Sequence, residues 1–345
     1  MVLTSLASRY AAFKERNMNV FVSGATGFIG ASLVRRLASQ GHIVHALYRS
    51  EEKAKLILTE NVRLFKGDIL DKLSVLEAMK GCTQGYHIAA FAGVWAKDPG
   101  LIRRLNVEAT LSIIDAAGRQ GMERLVVTST AGILGPSSTT AVNEQTPVPE
   151  SFFTQYESSK WEMEQEIARL RIMQPEIVIV NPTRVYGPGL LSESNGVTRM
   201  IGRYIEGKWK LIPGNGLKSG NYVYIEDVVA GHLLAMEKGR SGERYVLGGE
   251  NISYRRLFEL TREISGVIYR LFRIPLWIML SAAWLMKMMA LISGNPPLIV
   301  PGLVRKFNHH WIVSSEKARE QLGYEPLDAR EGLARTIRWI REYNN

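Results

Sequence analysis

Two stretches combine residue types and spacing that suit chemistry. The first is Tyr156-Glu157-Ser158-Ser159-Lys160. A four-residue separation puts Tyr156 and Lys160 on one face of a helix. A free tyrosine titrates at about 10, so proton exchange at neutral pH requires a more acidic phenol. A neighbouring ammonium favours phenolate, and Lys160 is expected to supply it. Thr128-Ser129-Thr130 adds hydroxyls at the end of an apolar run. A hydroxyl there can hold a carbonyl or carbinol oxygen beside Tyr156. Asn106 is a further polar companion on an intervening helical segment.

The second stretch is Gly24-Ala25-Thr26-Gly27-Phe28-Ile29-Gly30, with glycines spaced G-x-x-G-x-x-G. Glycine permits a tight turn and close approach of the backbone to a pyrophosphate. A helix N-terminus adds free N–H groups and partial positive charge. The expected ligand is a dinucleotide. After the second strand comes Ala46-Leu47-Tyr48-Arg49-Ser50, with Lys53 close behind. An acid at this place binds a ribose 2′-hydroxyl, and an arginine accommodates a 2′-phosphate. NADP is therefore favoured over NAD. Asp68 ends the third strand and is placed to accept from the adenine amino group.

The elements that carry these residues alternate. Strands are predicted at Asn19 to Ser23, Ile43 to Tyr48, Val62 to Lys66, Tyr86 to Ala90, Leu125 to Ser129 and Ile177 to Val180. Helices are predicted at Phe28 to Gln40, Leu73 to Lys80, Leu101 to Gln120 and Tyr156 to Met173. Apolar strands between amphipathic helices mean a doubly wound parallel sheet, an α/β fold of Rossmann type. Its ligand site lies at the carboxyl ends of the strands. After Pro182 the pattern breaks. The expected division is 18–182 with about 220–250 as the dinucleotide domain, and 183–219 with 251–345 as a smaller, mostly helical substrate lobe. Residues 1–17 form a preamble.

Composition narrows the class. The chain has 345 residues, 46% hydrophobic and 22% charged, which excludes disorder and collagen-like architecture. Its single cysteine, Cys82, excludes an internal disulfide and a Cys-rich zinc site, and suits a reducing compartment. A net charge of +10 permits attraction to phosphate-bearing ligands, nucleic acid or anionic lipid. Met1 to Asn17 lacks the pattern of a secretion signal, so a cytoplasmic location is expected and Asn251-Ile252-Ser253 is an idle glycosylation match. His309 and His310 are adjacent, point to opposite faces in a strand, and have no carboxylate or Cys cluster beside them. No metal is expected.

The ordered set of motifs resembles the extended short-chain dehydrogenase/reductase family, within the NAD-dependent epimerase/dehydratase superfamily. Its pieces are Gly24 to Gly30, Gly67-Asp68, His87-Ile88-Ala89-Ala90, Asn106-Val107-Glu108-Ala109-Thr110, Thr128-Ser129-Thr130-Ala131, Tyr156 with Lys160, Asn181-Pro182-Thr183-Arg184-Val185-Tyr186-Gly187-Pro188, and Val223 to Val228. They cover most of residues 18 to 250, and the tail Leu322-Gly323-Tyr324-Glu325-Pro326 fits as well. The resemblance implies Tyr156 as general acid/base and Lys160 as ligand of the nicotinamide ribose. The hydroxyl before Ala131 is Ser in most relatives and Thr130 here, which makes Ser129 a rival. Asn106 joins this catalytic set. Gly24, Thr26, Gly27, Phe28, Ile29, Gly30, Arg49, Lys53, Asp68, Ile69, Ala89, Ala90, Thr128, Pro182 and Thr183 would line the cofactor. A homodimer is implied too.

Within that family, nucleotide-sugar epimerases commonly carry an acid after the second strand and an Arg that binds the diphosphate. This chain has Tyr48-Arg49, and Gly220 where that Arg would stand; Lys218 or Arg184 are the possible substitutes. The closer resemblance is to the dihydroflavonol 4-reductase-like and 3β-hydroxysteroid dehydrogenase-like branch, whose substrates are apolar ketones or secondary alcohols. A nucleotide-sugar epimerase or dehydratase with tightly bound NAD is the alternative. A cofactor-sensing protein without chemistry would need a broken site, and Tyr156 and Lys160 are both present. Nucleic acid is not an expected partner. The segment 274–292 has one charge, Lys287, in 19 residues. Three readings compete for it: a helix over the pocket or in the core, a helix on a membrane or in a dimer interface, and a membrane span.

Overall fold

Alternation along the first strand explains the layering. In β1 (Asn19–Ser23), Val20 and Val22 enter one apolar layer and Phe21 enters the other. The strands β2 (Ile43–Tyr48), β3 (Val62–Lys66), β4 (Gln84–His87), β5 (Arg124–Thr128) and β6 (Glu176–Pro182) follow. In β6, Val178 and Val180 join Val20, while Ile177 and Ile179 join Phe21. Both sheet faces are thus buried, as a parallel sheet requires. The computed structural model describes residues 17–343 apart from 94, 139, 171–173 and 191–194. The expected preamble, except Asn17, and the expected helix end at Met173 lie outside them.

The helices are α1 (Phe28–Ser39), α2 (Glu51–Lys55), α3 (Lys72–Met79), α4 (Pro99–Arg103), α5 (Ala109–Arg119), α6 (Gln155–Arg169), α7 (Gly196–Ile205), α8 (Ile225–Lys238), α9 (Tyr254–Ser265), α10 (Leu276–Ser293), α11 (Pro301–Lys306), α12 (Glu316–Leu322) and α13 (Ala329–Tyr343). Helices α1 and α8 cover one face of the sheet, and α3, α5 and α6 the other. The later strands are β7 (Arg184–Tyr186), β8 (Leu211–Pro213), β9 (Ser219–Tyr224), β10 (Arg244–Leu247), β11 (Glu250–Ser253) and β12 (Phe272–Ile274).

The main sheet has seven parallel strands in the order β10-β6-β5-β4-β1-β2-β3. This is a doubly wound Rossmann-type sheet, whose strand order reverses between β1 and β4. A three-stranded sheet, β11-β9-β7, and a parallel β12-β8 pair lie outside it.

Two elements depart from their predicted forms. The fourth strand, expected at Tyr86 to Ala90, is β4 at Gln84–His87, and residues 88–90 leave the sheet as a loop. The stretch expected as one helix, Leu101 to Gln120, is α4, a π-turn at Arg104–Glu108, and α5. Asn106 sits in that wide turn, fully buried, and the Thr110 hydroxyl donates to its carbonyl at 2.8 Å. A π-turn inserts an extra residue and is frequent at functional sites.

The tail is tied to the sheet layers through Asp227, in the first turn of α8. This buried carboxylate accepts the Leu327 N–H at 3.0 Å. Burial pushes its carboxyl up to about 7. The folded state thus holds a proton that the unfolded chain releases at about 4. The associated stability is full below about pH 4 and is lost as pH rises through about 7. Asp227→Asn keeps an acceptor for Leu327 without the charge. Its melting temperature, relative to the parent, is expected to rise steadily between about pH 5 and pH 8. A difference that stays constant across that range would contradict this.

Candidate active site

The glycine turn joins β1 to α1. Gly24 has φ +68°, and a Cβ there would lie 2.6 Å from the Ala89 nitrogen, so the chain after β4 leaves room only for glycine. A Cβ on Gly30 would lie 2.1 Å from the Gly24 oxygen, which also accepts the Gly27 N–H at 2.9 Å. Gly27 caps α1 with no side-chain hydrogen bond, and the first turn carries no acid. The helix N–H groups and their partial positive charge are therefore left for an anion. Phe28 and Ile69 have buried side chains, and so offer a ligand their main chain. A dinucleotide pyrophosphate fits this cradle.

The floor beside it is a chain of buried hydrogen bonds. Ala89 N–H donates to the Ser23 hydroxyl at 3.3 Å, and Ser23 Oγ is 2.7 Å from His87 Nδ1. His87 Nε2 is 2.9 Å from Thr110 Oγ1. Burial lowers His87 to about 3, so it stays neutral. Its partners assign the tautomer: Thr110 donates onward to Asn106, so Nε2 donates to Thr110 and Nδ1 accepts from Ser23. The network fixes the loop of Ala89 and Ala90 against β1.

At the outer rim, Arg49 and Asp68 stand at the ends of β2 and β3, 3.6 Å apart. Arg49 and Lys53 are exposed. Glu51 is engaged by Lys66 at 2.6 Å, which leaves Arg49 and Lys53 as the cations of this corner not bound to it.

Tyr156 lies in the first turn of α6 and is half-buried. The Thr130 side chain lies beside its hydroxyl. Thr130 Oγ1 accepts the Gly132 N–H at 3.1 Å, which caps a short turn and fixes the rotamer. Ser129 Oγ is buried with no hydrogen-bond partner among the described residues. Of the two rival hydroxyls, Thr130 is the one whose side chain acts on Tyr156. Burial pushes the Tyr156 phenol up to about 12, opposed by Thr130. The expected lowering by Lys160 is not seen. That ammonium donates to the Thr128 carbonyl at 2.7 Å, and burial brings it down to about 8 against the pull of Glu164. The Thr128 hydroxyl is committed to His232 Nε2 at 2.9 Å.

Asn106 belongs to the sequence-based catalytic set, but the structure makes it a positioning residue. Its Oδ1 accepts the Phe91 N–H at 2.7 Å, and its Nδ2 donates to Phe91 O at 3.2 Å and Ser159 Oγ at 2.9 Å. Ser159 donates to the Tyr156 carbonyl at 2.8 Å. Asn106 thus clamps the loop after β4 onto the Tyr156 turn, with its amide spent on protein. Pro182 ends β6 beside Leu247, and the Thr183 hydroxyl donates to Asn221 Oδ1 at 2.7 Å.

Other residues complete this neighbourhood. Asn181 donates to the Thr130 carbonyl at 3.2 Å and to Glu164 at 2.7 Å, linking the Thr130 turn to the carboxylate beside Lys160. Buried Glu157, next to Tyr156, pairs with Lys306, which lies 4.4 Å from the Trp311 ring centre. Sequence separation of 149 residues hid that pair. Arg184 donates to the hydroxyls of Tyr222 at 3.2 Å and Tyr254 at 2.9 Å, and stacks on both rings. A Cβ on Gly220 would lie 2.3 Å from its Nη1. Glycine at 220 makes room for Arg184, which occupies that space with Nη1 already shared between two tyrosines.

Residues 20–248 match the profile of the NAD-dependent epimerase/dehydratase family. The chain belongs to that family. A putative dihydroflavonol 4-reductase of Synechocystis is 31% identical over 330 residues, 94% of each chain. Sterol demethylase protein B of Methylococcus capsulatus is 31% identical over 338 residues, 94% of this chain and 99% of that one. The crystal structure of gox2253 superposes with a TM-score of 0.79 at 31% identity, covering 95% of this chain and 99% of that one. Membership in this epimerase/dehydratase family, among extended short-chain dehydrogenases/reductases, makes the chain a nicotinamide-dependent oxidoreductase acting on CH–OH groups.

His310 is used structurally: its Nδ1 accepts the Ser219 N–H at 3.3 Å and its carbonyl accepts the Ser137 N–H at 2.8 Å. Cys82 is buried, and burial raises its thiol to about 12, which makes it unreactive.

Proposed function

We propose that this protein is an NADPH-preferring reductase that interconverts a ketone and a secondary alcohol on a hydrophobic substrate. The observation that carries the reading is Tyr156 one helical turn from Lys160, with the Thr130 side chain beside its hydroxyl, at the carboxyl edge of the same parallel sheet that carries the glycine turn. NADPH, when bound, supplies the hydride. Gly24, Gly27 and Gly30 with the first turn of α1 hold its pyrophosphate. A phenol at about 12 is protonated at neutral pH, so Tyr156 is set to donate to a carbonyl oxygen. Thr130 orients that oxygen and Tyr156 together. Lys160, anchored on Thr128, would donate to a hydroxyl of the nicotinamide ribose.

Arg49 supports the choice of NADPH. Its exposed guanidinium stands at the end of β2, and a 2′-phosphate would gain a charge-assisted hydrogen bond there. Arg49→Asp is expected to weaken NADPH relative to NADH by about tenfold or more. Equal loss for both cofactors would contradict the assignment.

The relatives named for dihydroflavonol and sterol chemistry support an apolar substrate. Steady-state oxidation of NADPH with a panel of bulky apolar ketones tests it. Turnover with them, and none with nucleotide sugars, is expected. The second reading, a nucleotide-sugar epimerase with retained NAD, draws on Arg184, the cation that takes the space above Gly220. Tight binding of a nucleotide sugar with no net NADPH oxidation would favour that reading.

A further inference from the structure

From Ile264 to Ser315, 52 consecutive residues contain no Asp or Glu and five Lys or Arg: Arg270, Arg273, Lys287, Arg305 and Lys306. Helix α10 lies in this stretch, and of the three readings of 274–292 it does not fit a helix buried in the core. Only Ala283 and Ala290 of its 18 residues are buried. Seven apart, they mark the side turned to the protein, where α11 is the neighbouring element. Most of the rest is open: Trp277 is 70% exposed, Leu285 64% and Ile292 87%, with Trp284, Met288 and Leu291 also exposed. Positions 277, 281, 284, 288 and 291 share one helical face, and Ser281 is its only polar residue. A continuous apolar face of this kind marks an interaction surface.

We propose that this face seats the protein on an anionic phospholipid bilayer, with α10 lying in the plane of the interface. Charge complementarity selects the occupant. At the head of α10, Arg255, Arg262, Arg270 and Arg273 line a cleft of about 250 Å³, opposed by one acid, Glu259. Arg270 and Arg273 are within six residues of the helix start, placed for lipid phosphates while the apolar face enters the acyl boundary. Trp277 and Trp284 suit the headgroup level, and Lys287 lies 5.1 Å from the Trp284 ring centre, a stem that can reach back to the surface.

A second copy of the chain fits less well. A two-fold contact would set this acid-free, cationic segment against itself. Crossing the membrane fits less well too. At a rise of about 1.5 Å per residue the helix is long enough. However, β12, paired with β8, directly precedes it, and α11, joined to it by a seven-residue connection, packs beside it, so both ends stay on one side. Docking does not rest on the substrate reading. It would, however, place an apolar substrate close to the site, since α11 ends in Lys306, the partner of Glu157 beside Tyr156.

Flotation of the full chain with vesicles tests the proposal. Binding to mixed phosphatidylcholine/phosphatidylglycerol vesicles is expected, with about tenfold or more loss on pure phosphatidylcholine. The triple variant W284E/L285E/M288E should lose at least as much on the mixed vesicles, and R270E/R273E should lose part. Thermal melts of both variants should match the parent, because these side chains are exposed. Absence of parent binding, or unchanged binding by the triple variant, overturns the proposal. So does a parent dimer in sedimentation equilibrium that the triple variant dissociates without any vesicle binding by the parent. Retention through an alkaline carbonate wash, with release only by detergent, would show a spanning helix and overturn it as well.

Discussion

Tyr156→Phe is expected to lower turnover by about 10²–10⁴-fold, the usual contribution of a positioned general acid. The ring that packs at the head of α6 is kept and only the hydroxyl is lost, so folding and cofactor affinity should stay close to the parent. The size of the effect follows from the phenol's setting. Burial holds it protonated, and the Thr130 side chain, fixed by the Gly132 N–H, lies beside it. Thr130→Ala should cost less, because the phenol remains and only its orientation is relaxed. Ser129→Ala should be nearly silent, since Ser129 Oγ makes no hydrogen bond in the described structure. Rapid-mixing measurement of NADPH oxidation, with a separate fluorescence titration of the cofactor, separates chemistry from binding. Tyr156→Phe within about twofold of the parent would remove Tyr156 from the chemistry.

Gly30→Ala is expected to weaken cofactor binding by about 10²-fold and to lower the melting temperature. The new methyl would stand 2.1 Å from the Gly24 oxygen and 2.8 Å from its carbonyl carbon. Both are backbone atoms, so no rotamer change relieves the contact. Moving that carbonyl also stretches its bond to the Gly27 N–H and turns the N-terminus of α1 away from its ligand. Gly196→Ala is the control: nothing lies within 4 Å of a Cβ there. Titration with NADPH and melting of both variants distinguishes a local clash from a general loss of glycine. Equal behaviour of the two variants would contradict the account.

What the sequence made legible follows from period and from local motif. The bounds of β1, β2 and β3 could be read because each is an apolar run closed by a turn residue. The glycine cradle, Tyr156 with Lys160, and the rim pair Arg49 and Asp68 could be read because each lies within a few residues or at a strand end. What stayed hidden is made by long-range approach. Glu157 finds Lys306 across 149 residues of chain, and Asn106 spends its amide on Phe91 and Ser159, which no spacing rule links to it. The π-turn was hidden because its cause is tertiary: Asn106 is drawn inward within a pattern that otherwise reads as continuous helix. The Tyr156 pKa was misjudged for a related reason. A shared helix face does not fix where a lysine ammonium goes, and the Thr128 carbonyl claims it. The exposure of α10 was also beyond composition, because a helix apolar all round reads the same in a core and on a surface.

The most direct test of the central claim is the nucleotide content and cofactor preference of the purified protein. Denaturation should release no stoichiometric nucleotide, and titration of the native chain should show NADPH binding at least about tenfold tighter than NADH. Release of one equivalent of NAD per chain, held through purification, would contradict a dissociable NADPH-dependent reductase and favour the nucleotide-sugar epimerase reading.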